Sequence, residues 1–246
     1  MFERSMCRII NNKEIFRMRL IYISLFLLYL STSSTSLAIT KTSAGRSHLG
    51  TKQGTKVLVP ISDGFEDLEA VTIVDMLRRA GAIVTIASIY SDRDTVKGMM
   101  NTQITKDASL ADVINDDYDL IVLPGGTKNA QNLANSTILI QKLKEQKAAG
   151  KWYAAICASP AIVFVPNGLM EGVEGTSFGG DYFEAYWNDA GLTRLAQRVV
   201  VSKNCITSEG PGTAMEFAVA LIANVISQEK ADSLVDALYI CKTCGS

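Results

Sequence analysis

Three short segments of this chain combine residue types that can do chemistry. The first is Cys157-Ala158-Ser159-Pro160. A cysteine between an apolar strand and a helix, followed by small residues, suits a sharp strand-to-helix turn that presents the thiol at the top of a sheet. The N-terminus of the following helix then favours a thiolate. The plainer reading is a buried structural cysteine. The second is Pro124-Gly125-Gly126. Paired glycines permit unusual backbone angles and close approach of a ligand, and their amides can hold an oxyanion beside Cys157; a plain turn uses the same residues. The third is Glu66-Asp67-Leu68-Glu69. Glu66 and Asp67 suit the first turn of a helix and read as solvated. Glu69 falls beside Leu68 on the side that turns toward the sheet, as an inward partner for a thiolate or as one more surface acid.

The elements that must position these segments are legible in the hydrophobic pattern. Val57-Leu58-Val59-Pro60-Ile61 is a continuous apolar run, expected of a strand buried on both faces. After the turn Ser62-Asp63-Gly64, residues 65–80 predict a helix with Leu68, Val71, Val74, Met76 and Leu77 on its apolar face, closed by Gly81. Ile83 to Ala87 predicts a second buried strand, which makes a β-α-β unit and hence a parallel sheet with a right-handed crossover. The alternation continues through a strand at 119–123, a helix at 138–149, a strand at 152–156, an apolar helix to Val165, short strands at 199–202 and 205–207, and helices at 212–226 and 231–238. Strands alternating with helices mean an α/β doubly wound sandwich, mainly parallel, with helices on both faces. In such a sheet, sites form at the carboxyl ends of strands, where all three chemical segments fall.

Composition limits the partners and the organisation. The chain has 246 residues, 48% hydrophobic and 20% charged, enough apolar residues for a substantial core. A net charge of −1 gives no basic surface for nucleic acid. Lys13, Arg17 and Arg19 precede an apolar run from Leu20 to Leu30 and a small-residue site at Ser36-Leu37-Ala38, so residues 1–38 read as a secretory signal peptide. The run is about half a bilayer span, which disfavours a permanent transmembrane helix. Residues 39–55 lack acids and are basic and hydroxylated, as in a linker or the second half of a bipartite organelle leader. These features predict entry into the secretory pathway and onward passage to an organelle such as a plastid, or a cytoplasmic protein if translation starts downstream. A single domain is expected over residues 56–238, with a disordered tail at 239–246. Of the 5 cysteines, Cys205 reads as core, Cys7 lies in the leader, and Cys241-Lys242-Thr243-Cys244 is a lone C-x-x-C that suits a local disulfide better than a zinc site.

Four motifs in order, Gly64-Phe65-Glu66-Asp67-Leu68-Glu69-Ala70, Leu123-Pro124-Gly125-Gly126, Ala154-Ala155-Ile156-Cys157-Ala158-Ser159-Pro160 and Ser208-Glu209-Gly210-Pro211-Gly212-Thr213, resemble the PfpI/ThiJ superfamily, most nearly its Parkinson-associated protein-deglycase branch (DJ-one). The resemblance covers roughly residues 56–238. It implies a flavodoxin-like, class I glutamine-amidotransferase-like fold, Cys157 as the reactive residue, and Glu69 as the acid that shares a proton with it. It further implies oxyanion amides at Gly126 and Ala158 beside Gly125, a pocket border at Gly210-Pro211-Gly212, and a homodimer whose pairing helix carries Leu68 and Arg79. Glyoxalase or deglycase chemistry and oxidative-stress sensing through the cysteine are implied, with neither metal nor organic cofactor.

Two departures from the family pattern bear on the chemistry. Where many members carry a histidine near the cysteine, this chain reads Thr176-Ser177-Phe178, and a pocket arginine is replaced around Met100. His48 is the only histidine and lies in the leader. A Cys-His dyad is thus denied to the folded domain, which disfavours amide hydrolysis of the protease or glutaminase kind. Aldehydes are more electrophilic. The expected reaction is addition of the Cys157 thiolate to methylglyoxal, glyoxal or their early protein adducts, proton shuttling by Glu69, and thioester hydrolysis to a 2-hydroxy acid. The competing reading is a redox sensor or chaperone that works by oxidation of Cys157; both readings expect a low thiol pKa. A dimeric binding module without activity is the third.

Overall fold

The computed structural model describes residues 54–240. The expected leader with Cys7 and His48, the signal site at 36–38 and the Cys241/Cys244 pair lie outside the described residues.

The apolar runs form the strands that their composition predicts. β1 (Lys56–Ile61), β2 (Ile83–Ser88), β6 (Leu120–Leu123) and β7 (Trp152–Ile156) are buried along nearly their whole length. Between β2 and β6 come a short antiparallel hairpin, β3 (Thr95–Lys97) with β4 (Gln103–Thr105), and a two-residue strand, β5 (Ala108–Ser109). β8 (Val199–Ser202) and β9 (Cys205–Ser208) complete a seven-stranded sheet of order β5-β2-β1-β6-β7-β9-β8. All its pairings are parallel except β8 with β9. The sheet runs apolar on both faces because helices cover both.

One group of helices comprises α1 (Asp67–Arg79), α6 (Ala214–Val225) and α7 (Gln228–Ala237), each packed on the next. A second comprises α3 (Thr127–Ala134), α4 (Thr137–Ala148) and α5 (Asp181–Asp189), gathered around a π-helical turn at Pro160–Phe164 and a 3₁₀ turn at Val165–Asn167. A single turn, α2 (Leu110–Val113), follows β5. The architecture is the flavodoxin-like doubly wound sandwich. The hairpin, α3 and α5 were not foreseeable from periodicity: the hairpin strands have three residues each, and α3 (TKNAQNLA) buries only Asn129, Ala130 and Leu133.

The first helix departs from its expected phase. Its buried face is Glu69, Ala70, Ile73, Met76 and Leu77, whereas Leu68 is 63% and Val71 48% exposed. At 100° per residue, positions 69, 73 and 76 share one stripe, and 68, 75 and 79 another. The carboxyl of Glu69 is held inward by the backbone of the Gly125 loop, and that contact turns Leu68 and Val71 outward. The segment after Cys157 also departs: it is π- and 3₁₀-helical, so it supplies no long helix dipole to the thiol.

Loops at the carboxyl end of the sheet are tied together by one side chain. Asn129, fully buried on α3, accepts from the Ser62 amide at 2.7 Å and donates to the Pro124 and Gly125 carbonyls at 3.0 and 3.2 Å. Replacing it by Ala strands the buried Ser62 amide and takes one of two donors from each carbonyl, so Asn129→Ala should lower unfolding free energy by about 1–3 kcal/mol. Urea denaturation checks this, with a lower midpoint at unchanged slope as the expected outcome.

Candidate active site

Cys157 stands at the end of β7 with φ 64°, a left-handed conformation that costs a residue with a Cβ of order 1–3 kcal/mol. Hydrogen bonds hold it there. Its amide donates to the Ser208 carbonyl at 2.9 Å, and its carbonyl accepts from the Phe178 amide at 2.8 Å. The residue is buried, with 8% of its surface exposed. The amides of Gly126 and Ala158 both point at its sulfur.

Glu69 is fully buried in the first turn of α1 and does not lie on the surface. Its Oε2 accepts from the Gly125 amide at 2.8 Å, while Oε1 has no regular hydrogen-bond partner. The carboxyl interacts with the Cys157 thiol. Glu66, expected to be solvated, is instead buried and caps α1: its Oε2 accepts from the Glu69 amide at 2.8 Å, and its own amide donates to the Gly125 carbonyl at 3.1 Å. Asp67 is also engaged, accepting from the Met100 and Thr102 amides at 2.9 and 3.1 Å to hold the β3–β4 turn against the helix.

Both loop glycines are required by space. A Cβ on Gly125 would come within 2.5 Å of the Cys157 Cβ and 2.7 Å of Glu69 Oε2. Gly126 has φ 86°, and a Cβ there would sit 2.1 Å from the Gly64 carbonyl oxygen. Ser159 ties the elbow to this loop by donating to the Pro124 carbonyl at 2.6 Å. Gly210 lies against the Phe178 ring, and its amide donates to Thr213 Oγ1 at 3.1 Å, which fixes the Pro211–Thr213 turn. The structure therefore gathers Cys157, Glu69, Gly125, Gly126 and Ala158 at one point, with Gly210 and Pro211 beyond Phe178. Leu68 and Arg79 are elsewhere, on the outward stripe of α1, where Arg79 pairs with Asp75 at 2.6 Å. Asn129, Ser159 and the buried role of Glu66 were missed: Asn129 sits in a polar stretch without periodicity, and nothing in residue type marks it. Cys205 is core, its thiol pushed up to about 12 by burial. Among the described residues no three His, Cys, Asp or Glu side chains gather as metal ligands.

Burial first, then the neighbouring Glu66 charge, raises the Glu69 carboxyl from an ordinary 4.5 to about 8, against the pull of the Gly125 amide and the thiol. Burial first, then the Glu69 charge, pushes the Cys157 thiol up, contrary to the low thiol pKa expected from the sequence. The two groups titrate as a pair. Sulfur has the Gly126 and Ala158 amides as donors and shares a hydrogen bond with the Glu69 carboxyl, which itself accepts from the Gly125 amide. Within the pair, the Gly126 and Ala158 amides favour the charge on sulfur, while burial and the Glu69 charge oppose it.

A stability measurement isolates the carboxyl. In Cys157→Ser the hydroxyl does not titrate, and Glu69, raised in the folded state, binds a proton that the unfolded chain has lost. Its contribution is fully present below about pH 4.5 and is lost as pH rises through about 8, with a slope of up to about 1.4 kcal/mol per pH unit. Denaturation midpoints of Cys157→Ser should fall across that window, and the added Glu69→Gln change should remove the slope.

Known proteins share this arrangement's sequence and fold. A model described as the DJ-1/PfpI family matches residues 55–224. The chain is 40% identical over 185 residues to Protein DJ-1 homolog B of Arabidopsis thaliana, covering 75% of this chain and 41% of that protein. It is 33% identical over 186 residues to Glutathione-independent glyoxalase DJR-1.2 of Caenorhabditis elegans, covering 76% of this chain and 96% of that one. The solved structure of oxidized Toxoplasma gondii DJ-1 superposes with a TM-score of 0.70 at 38% identity, covering 76% of this chain and 98% of that chain. The chain spans less than half the length of the Arabidopsis relative.

Proposed function

The chain belongs to the DJ-1/PfpI family, and on that premise we propose that it is a cofactor-independent glyoxalase or deglycase acting on methylglyoxal, glyoxal or their early protein adducts. The observation that carries the reading is the proton-sharing pair: a thiol under two backbone amides, beside a buried carboxyl whose pKa lies near 8. A C. elegans relative named as a glutathione-independent glyoxalase supports it.

The reaction follows from where the proton sits. The thiolate bonds to the aldehyde carbon, and the electrons pass to its oxygen, near the Gly126 and Ala158 amides. Glu69 gives that oxygen its proton, which leaves a hemithioacetal and a carboxylate. The carboxylate removes the hydrogen on C1 and returns it to C2 while the hydroxyl proton passes from the first oxygen to the second. The product is a thioester of a 2-hydroxy acid. Glu69, again a carboxylate, takes a proton from water as the hydroxide attacks the thioester carbon. The C–S bond breaks, the 2-hydroxy acid leaves, and the pair regains its starting state. Cys157→Ser should abolish methylglyoxal consumption. Glu69→Gln, which keeps the shape but carries no transferable proton, should lower kcat by about 10²–10⁴. Unchanged turnover in Cys157→Ser would refute the assignment.

A second reading, a redox sensor that works by oxidation of Cys157, is favoured by the same donors, since a sulfinate would find the Gly126 and Ala158 amides and the Glu69 hydroxyl around it. A solved relative from Toxoplasma gondii is oxidized. Selective oxidation of Cys157 at low peroxide, read by mass spectrometry, without steady-state glyoxal turnover would favour this reading over catalysis.

We also propose that two copies pair through the outward stripe of α1, where exposed Leu68 and Val71 adjoin Arg79. Leu68→Glu should shift the chain from dimer to monomer in sedimentation velocity; a wild-type monomer at micromolar concentration removes the proposal.

A further inference from the structure

An aromatic ladder that the proton-sharing chemistry does not use starts at Phe178, one backbone hydrogen bond from Cys157. Phe178 is 45% exposed, although its amide is bonded to the Cys157 carbonyl and its ring lies against Gly210. Its ring meets Phe183 edge-on at 5.5 Å, Phe183 meets Tyr182 at 5.0 Å, and Tyr182 meets Tyr186 at 5.8 Å. Tyr182 Oη accepts from Gln131 Nε2 at 3.4 Å, which brings the ladder to α3, the helix opened by Gly126. The ladder thus spans from the Gly210 turn to the helix behind the oxyanion amides. It is anchored from beneath, where buried Trp187 donates from Nε1 to Ser177 Oγ at 3.0 Å.

Aromatic rings packed on one another yet left about half-exposed next to a reactive residue have the character of a ligand subsite. Its chemistry is specific. Phe178 and Phe183 offer ring faces and edges and no charge, and the only polar atoms of the ladder, the two tyrosine hydroxyls, engage each other and Gln131. A dicarbonyl bonded to sulfur through its aldehyde carbon, with its oxygen at the Gly126 and Ala158 amides, must carry its other substituent away from those amides, and Phe178 is the aromatic residue bonded to Cys157 on its other side. A hydrogen or a methyl group leaves the ladder uncovered; an aryl ring can stack on it edge to face.

We propose that Phe178, backed by Phe183 and Tyr182, is the substituent subsite of this pocket, and that it selects 2-oxoaldehydes bearing an aromatic group over glyoxal and methylglyoxal. The inference rests on the proposed glyoxalase reading, and its test separates the two. The first measurement is the ratio of kcat/KM for phenylglyoxal to that for methylglyoxal, in the full chain and in Phe178→Leu and Phe178→His. The ratio should exceed about tenfold in the full chain, the scale of one edge-to-face contact, and fall about tenfold in both variants through KM. The ring is half-exposed and the backbone makes the bond to Cys157, so both variants should fold. The second measurement needs no turnover: titration of Cys157→Ser with mandelate and with lactate, the aryl and methyl 2-hydroxy acids. Mandelate should bind about tenfold tighter, and adding Phe178→Leu should erase the difference. Turnover with a ratio near one, or unchanged by both substitutions, overturns the subsite and leaves the glyoxalase reading standing. Absent turnover with Phe178-dependent mandelate binding overturns the glyoxalase reading and upholds the subsite.

Discussion

A carboxyl group with no solvent exposure, set against a thiol, is the constraint on which this structure turns. Burying the anion of Glu69 would cost several kcal/mol unless it were paired or well bonded. Here it has one amide donor and no cation. The group resolves the conflict by keeping its proton, which turns a liability into an acid poised near 8. The surroundings follow from holding it in that place. Gly125 can have no side chain, because the carboxyl and the cysteine occupy that space. Glu66 must turn inward to cap the helix whose first turn carries Glu69. Helix α1 must rotate until Leu68 and Val71 face outward.

The second requirement is a cysteine whose backbone cannot relax. A φ of 64° is strained, and strain persists only where the surroundings over-determine it. Cys157 is bonded on both sides of its Cα, to Ser208 in the neighbouring strand and to Phe178 in the loop beyond. The register of β7 with β9 sets the first of these bonds, since Ile156 lies opposite Ser208 and the next amide continues the ladder. Asn129 and Ser159 bind the Pro124-Gly125-Gly126 loop to the same platform. The donors around sulfur are thus fixed before any ligand arrives, and preorganisation of that kind is what makes backbone amides effective on developing charge.

How much of this was legible before the coordinates depended on whether the information lay in a run of residues or in a meeting of distant ones. The sheet strands β1, β2, β6 and β7 were readable because parallel strands buried on both faces have no polar alternation to confuse them. Gly81 marked a helix end because positive φ selects glycine, and it adopts φ 89°. The cysteine and the two glycines stood out by type and by place at strand ends. Glu69 stayed ambiguous because a carboxylate in a first helical turn is ordinary, and only the Gly125 amide, 56 positions away, distinguishes a buried partner from a surface acid. Glu66 was misread for the same reason. Asn129 and the aromatic ladder were invisible, since their meaning lies in contacts that no local period encodes.

The missing imidazole shows what one proton carrier can and cannot do. The place where the family resemblance led us to expect a histidine is taken by Phe178, whose amide pins the cysteine carbonyl and whose ring offers no proton. Glu69 is then the ionisable group in contact with the sulfur. Amide hydrolysis asks for a proton on a departing amine and then for activation of water, with a strongly basic leaving group to be coaxed out at each turnover. A hemithioacetal asks for less. Its carbon–hydrogen bond is acidified by the adjacent ketone, its rearrangement returns the same proton that was taken, and the thioester that results has a good leaving group in the thiolate. In the proposed reaction each step would use Glu69 in the state in which the preceding step leaves it. A site with one carboxyl at the sulfur and no imidazole beside it therefore suits the proposed sequence of transfers better than the cleavage of a peptide.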